Sequence, residues 1–196
     1  MGLSAPGRGL GARFDTRVLR PPAVAADEAA RLQGQPACAA ALQAWCQGGG
    51  PGLAEAALHG TGQAPDLSAW ADALARHLDG GTRLDALGRA AGLAWRLRIQ
   101  LNEAWPGRAR QPDDPWDAGW ALDSGAALAH WQSGWQPRRP TLVLAEAGQA
   151  GVLAPVLAAL ARRPADSALA LRWLWVGGAL SGSLMRGHEV AQFSQA

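Results

Sequence analysis

The feature that most constrains how this chain folds is an apolar stripe with helical spacing, with a helix-capping residue before it and a glycine pair after it. Asp66 is suited to cap a helix, and apolar residues then recur at i, i+3 and i+4 until the Gly80-Gly81 pair. Thr82 is suited to cap a second helix that runs to about residue 105. Two helices joined by a two-glycine turn predict an antiparallel αα-hairpin at the centre of the fold.

Other segments on either side of the hairpin also have helical spacing. Residues 23–46, interrupted near Gly34, and residues 116–135 carry apolar positions that fit helices. We therefore expect a mainly α fold, a helical bundle that is helical over 23–135. It would form a single globular domain over 14–196, preceded by a flexible N-terminal arm over residues 1–13, which are rich in Gly, Pro and Arg.

The last third of the chain allows an alternative to the all-helical fold. An apolar run at 141–145 precedes a helical pattern at 152–163, and large side chains then alternate over 169–176. One interpretation is a strand–helix–strand unit over 140–178, which would make the fold α/β. The other is two buried helices, since short apolar runs do not distinguish strand from helix.

Tryptophan is the most unusual component, with ten in the chain against two Phe and no Tyr. On one helix over 116–135, Trp116 and Trp120 would be neighbours, as would Trp131 and Trp135. Such residues either fill the core or form an interface, where Trp and Arg are enriched. The second interpretation predicts a partner-binding surface made of Trp116, Trp120, Trp131, Trp135, Arg138 and Arg139.

A glycine-containing turn follows the apolar run at 141–145. Gly148, Gln149 and Gly151 lie where doubly wound folds hold phosphates at a helix N-terminus. The spacing is G-x-x-G rather than G-x-G-x-x-G, and no Lys-Ser/Thr pair follows it. An ordinary strand-to-helix turn is one interpretation of these residues, and a ligand-binding turn is the other.

Composition excludes several chemistries. All 18 basic residues are Arg and the net charge is only +2, so Lys-dependent catalysis is excluded and nucleic-acid binding is not expected. The four His and two Cys show no metal-ligand spacing, and no G-x-S-x-G motif occurs, so we expect no metal, cofactor or catalytic residue. Cys38 and Cys46 are predicted to be free buried thiols.

The usage of GC-rich codons indicates a bacterial, high-GC genome, and no segment predicts a membrane span or signal peptide. The sequence thus favours a non-enzymatic helical adaptor or accessory protein of a bacterial cytoplasm that binds another protein, with homo-oligomerisation left open. The alternative is a small α/β ligand-binding protein or enzyme that uses the Gly148–Gly151 turn.

Overall fold

The computed structural model describes residues 15–25, 27–48, 50–60, 66–104, 114–162, 169–177 and 191–195. Within them, six strands form one mixed sheet in the order β1-β3-β4-β5-β2-β6. All neighbouring pairs are parallel except β1 with β3. The strands are β1 (Leu19–Arg20), β2 (Gly52–Gly60), β3 (Asp117–Ala121), β4 (Thr141–Glu146), β5 (Ala170–Val176) and β6 (Ala191–Gln195).

Helices cover both faces of the sheet. The helices are α1 (Glu28–Gly34), α2 (Pro36–Gln47), α3 (Leu67–Leu78), α4 (Gly81–Ala86), α5 (Arg89–Ala104), α6 (Gly125–Gln132) and α7 (Ala150–Ala161). Buried side chains of α2 and α3 pack on one face of the sheet, and those of α6 and α7 pack on the other. The described helices include none that is long and apolar enough to cross a bilayer.

The prediction of a mainly α helical bundle is wrong, because the centre of the molecule is a sheet. Residues 116–135 form β3 followed by α6 rather than one helix. β2 lies between β5 and β6, where its apolar residues are buried on both faces. A strand buried on both faces has a continuous apolar run instead of an alternating one, so its sequence does not show the two-residue period.

The strand–helix–strand interpretation of the last third is confirmed. β4 and β5 are parallel neighbours, with Thr141 opposite Leu171 and Glu146 opposite Val176. Helix α7 lies between these two strands in the chain. The odd-numbered residues of β5 place Trp173 and Trp175 against α6 and α7, while Leu174 packs beneath α2 and α3. The fold is therefore α/β with helices on both faces.

The predicted hairpin is present in part. Helix α3 begins after Asp66, whose carboxylate accepts hydrogen bonds from two backbone N–H groups of the first turn. It ends before Gly80, which adopts φ +76°. The predicted second helix is divided into α4 and α5 at residues 87–88. The predicted N-terminal arm, residues 1–13, lies outside the described residues.

A buried arginine anchors the connection from α2 to β2. The Arg172 guanidinium donates hydrogen bonds to the carbonyls of Gly48, Gly50 and Gly52, at 2.5, 2.8 and 3.0 Å. It also lies 6.0 Å from the ring centroid of Trp45. The connection between α2 and β2 is therefore held to the amino end of β5, since three of its carbonyl oxygens converge on one cation.

Candidate functional site

The carboxyl ends of β2, β3, β4 and β5 meet at one edge of the sheet, because these strands are parallel. From this edge β2 continues into α3 on one face, whereas β4 continues into α7 on the opposite face. β5 lies between β2 and β4 in the sheet. Open α/β sheets bind their ligands beyond the carboxyl ends of their strands. We call this place the carboxyl edge.

The turn from β4 to α7 forms one side of the carboxyl edge. It consists of Glu146 and a single 3₁₀ turn over Ala147–Gln149. Gly148 and Gly151 are exposed, and a side chain built at either position meets nothing within 4 Å. The predicted turn therefore lies open at the edge of the sheet.

Gln149 connects this turn to the residues that follow β3. Its Oε1 accepts a hydrogen bond from the Glu146 N–H at 3.4 Å, and its Nε2 donates to Asp123 Oδ2 at 3.0 Å. Asp123 and Glu146 are both exposed. The turn is thus braced across two strand ends, and it presents two carboxylates to solvent.

Two of the helices that begin at this edge, α3 and α6, are capped by the protein's own side chains. Asp66 Oδ1 accepts from the N–H groups of Ser68 and Ala69, at 3.1 and 3.2 Å, and Ser124 Oγ accepts from the N–H of Ala127 at 3.3 Å. Anions bind helix N-termini through such N–H groups. Because these positions are occupied, and one of the caps is itself negative, α3 and α6 are poorly suited to hold a phosphate.

The end of β2 contributes a histidine to the same edge. His59 is half-buried, and its Nδ1 is enclosed without a hydrogen-bond partner among the described residues. Next to it, the Gly177 N–H donates to the carbonyl of Leu58 at 3.0 Å and holds the end of β5 against β2. Imidazole nitrogens both donate and accept hydrogen bonds, depending on the tautomer, so His59 adds a polar side chain near the carboxyl end of β2.

A buried acid lies four residues before His59, on the same face of β2. The Glu55 carboxylate accepts a hydrogen bond from Trp175 Nε1 at 2.7 Å, and both side chains are almost fully buried. Glu55 is opposite Trp173 in the β2–β5 register. The hydrogen bond fixes the Trp175 indole near the carboxyl end of β5.

The four tryptophans of the predicted partner surface do not form one surface. Trp116 and Trp120 belong to the core under α3, whereas Trp131 and Trp135 belong to the core on the opposite face of the sheet. All four are at most 7% exposed. Trp131 and Trp135 stack edge to face with centroids 4.5 Å apart, which is a packing contact.

Arg138 and Arg139, the remaining residues of that prediction, lie around a buried carboxylate. Arg138 Nε donates to Asp117 Oδ2 at 3.2 Å, and Arg139 Nη1 lies 3.6 Å from Asp117 Oδ1. Arg139 and Asp117 are buried. These arginines therefore neutralise the first residue of β3 at the amino ends of β3 and β4, away from the carboxyl edge.

Sequence reasoning found the glycine turn but missed Asp123 and His59. Asp123 lies two residues after the end of β3, and the prediction of one helix over 116–135 hides that position. Within the described part of the chain, no group of three His, Cys, Asp or Glu residues is placed to hold a metal ion. Residues 178–190, which include Ser181, Ser183 and His188, lie outside the described residues.

Comparisons with known proteins returned no family model, no curated protein and no solved structure that matches this chain.

Proposed function

We propose that this protein is a small α/β ligand-binding protein and that its ligand binds at the carboxyl edge, against the Gly148–Gly151 turn. The observation that carries the proposal is the exposed turn between the parallel neighbours β4 and β5, at an edge where β2 and β4 continue into helices on opposite faces. Ligands of open α/β sheets bind at this position regardless of their chemistry.

The charges at the carboxyl edge favour a particular class of ligand. Asp123 and Glu146 supply carboxylates, and Asp66 adds a third at the start of α3. Carboxylates accept hydrogen bonds and repel anions. The ligand is therefore a small molecule with hydroxyl or amine donors, or with a positive charge, rather than a phosphate ester.

Thermal unfolding followed by tryptophan fluorescence tests this proposal. The panel contains polyamines, amino sugars and nucleosides, with nucleotides as anionic counterparts. A ligand at a hundredfold excess over its Kd adds about 2.7 kcal/mol of stability, which raises Tm by several degrees in a protein of this size. We expect the shift from uncharged or cationic compounds, and a smaller one from their phosphorylated forms.

Two variants locate the site. Gly148→Phe fills the open space of the turn, and Glu146→Gln removes one carboxylate, so both should abolish or reduce the ligand-induced shift. Gly34→Phe is the matched control, because a side chain at Gly34 also meets nothing within 4 Å but lies at the end of α1. A shift that Gly148→Phe leaves unchanged would place the ligand elsewhere, and a panel without any shift would contradict the proposal.

A second candidate is the adaptor function, in which the chain acts by binding another protein. The burial of the four tryptophans gives this function no support at residues 116–135. One specific observation favours it at another place, since Leu93 and Leu97 of α5 are 62% and 54% exposed.

A further inference from the structure

Helix α5 has two apolar faces, and within the part of the chain that the structure describes only one of them is packed. Trp95 and Ile99 are buried, and the Trp95 ring covers Gly80 at the turn between α3 and α4. Leu93 and Leu97 are two of the four large apolar side chains that are exposed in the described part of the chain. At 100° per residue, Leu97 points about 160° away from Ile99, so the exposed leucines lie opposite the buried face.

The exposed face of α5 has the spacing of a recognition helix. Ala90, Leu93, Ala94 and Leu97 are all exposed and follow the pattern i, i+3, i+4, i+7. Helices that bind in the apolar groove of another protein place their anchoring side chains at this spacing. We call these four residues the α5 stripe.

Arginines border the α5 stripe on both sides. Arg96 and Arg98 are exposed, and helical geometry places them on opposite flanks of Leu97. Residues 89–100 contain three arginines and no acidic residue. The surface around the stripe is therefore apolar along its centre and positive along its edges.

We propose that the α5 stripe binds a helix or groove of another protein, whose apolar surface is bordered by carboxylates. Charge complementarity selects this partner, because Asp and Glu on both borders would pair with Arg96 and Arg98. This inference is independent of the ligand proposed at the carboxyl edge, which involves none of the same residues.

Two other occupants fit the observations less well. A second copy of this chain, related by a two-fold axis, would bring one arginine-bordered stripe against another, and α5 contains one acid, Glu103, against three arginines. A membrane surface would gain only two leucines and two arginines from the described side chains, and stable attachment needs a larger apolar face or a larger basic cluster.

The test uses two labelled three-heptad helical peptides and the full chain. Both peptides carry Leu at positions a and d, and they differ in carrying Glu or Lys at positions e and g. Fluorescence anisotropy measures their binding. We expect the Glu peptide to bind and the Lys peptide to bind at least about tenfold more weakly, since like charges oppose association.

Variants of the stripe identify the surface. Leu93→Ala with Leu97→Ala should weaken binding of the Glu peptide at least about tenfold, because exposed leucines that become buried on binding are its main anchors. Arg96→Glu with Arg98→Glu should reverse the preference towards the Lys peptide. Val152→Ala on α7, where Val152 is 48% exposed, is the matched control and should bind like the parent.

Three results would overturn the proposal. The first is equal binding of the two peptides, and the second is Glu-peptide binding that the leucine variant leaves unchanged. The third is absence of peptide binding together with either self-association in sedimentation or binding to phosphatidylglycerol vesicles, each abolished by the leucine variant. Melting curves of every variant check the fold, and the exposed positions of these residues make unfolding an unexpected outcome.

Discussion

Replacing Arg172 by Met should be among the most destabilising single substitutions in this protein. The guanidinium is almost fully buried and donates to five backbone carbonyls, which belong to Trp45, Gly48, Gly50, Gly52 and Leu171. Burial lowers the pKa of Arg172, but an arginine side chain in a protein keeps its charge. Met fills much of the same volume but donates nothing.

The magnitude follows from the three shortest of these bonds, those to Gly48, Gly50 and Gly52. Hydrogen bonds to a charged group contribute about 1.5–3 kcal/mol each, so their loss amounts to about 4–9 kcal/mol. Part of this loss is offset, because burying the arginine charge costs several kcal/mol and Met carries no charge. We expect a net loss of about 3–5 kcal/mol, a large share of the 5–15 kcal/mol that stabilises a typical domain.

Urea unfolding followed by far-UV circular dichroism measures this loss, and Arg172→Lys is the informative control. Lysine retains the charge but presents three donors from one point instead of a planar fork, so it should recover only part of the stability. A free energy of unfolding for Arg172→Met within about 1 kcal/mol of the parent would refute the reasoning. The loop carbonyls would then be satisfied by water, and the guanidinium would not hold the loop.

Three further predictions concern separate parts of the fold. Gly80→Ala should lower the free energy of unfolding by about 1–3 kcal/mol, because φ is +76° and a Cβ would lie 2.5 Å from Trp95 Cη2. Gly88→Ala is the control, since a Cβ there meets nothing within 4 Å. Equal melting temperatures of the two variants would contradict the close contact between Gly80 and Trp95. Hydrogen bonds from Arg17 hold the pKa of Asp15 well below its usual value of 3.8, so the stability that Asp15 adds should be complete above that pH and decline below it. Comparing Asp15→Asn with the parent by thermal melts from pH 7 to pH 2 checks this, and a constant difference would contradict it. Burial raises the pKa of Cys46 to about 12 and that of Cys38 in the same direction, so a thiol reagent at pH 8 should label neither cysteine before urea is added and both afterwards. Rapid labelling of the native protein would count against this packing.

Local signals were sufficient where a structure is decided by neighbouring residues. Asp66 as a cap and Gly80 as a stop predicted α3, because capping and left-handed glycines act within one turn of a helix. The alternation of residues 169–176 favoured a strand over a buried helix only slightly, and the structure shows β5, whose odd and even positions face different helices. The Gly148–Gly151 turn was predicted because its glycines come directly after the apolar run at 141–145.

The same reasoning failed where the side-chain period of a helix and that of a strand give the same pattern. Trp116 and Trp120 are four residues apart, and that spacing returns a side chain to about the same side both in a helix and in a strand. Pairing with β4, a distant segment, makes residues 117–121 a strand, so that Trp120 lies in β3 and Trp116 directly before it. Asp123 depends on that pairing, so its place beside Gln149 could not be predicted before β3 was known.

The strand order also determines when the sheet can be completed during synthesis on the ribosome. β2 occupies residues 52–60, but its neighbours β5 and β6 begin at residues 170 and 191. At 5–20 residues per second, roughly 6–20 s pass before the first neighbour is made. During that time the nine residues of β2, which contain no Pro and only one acidic residue, have no neighbouring strand on either edge. Unpaired strand edges of this kind favour aggregation. Slowing translation after residue 60 should therefore lower the yield of folded protein more than slowing it before residue 50.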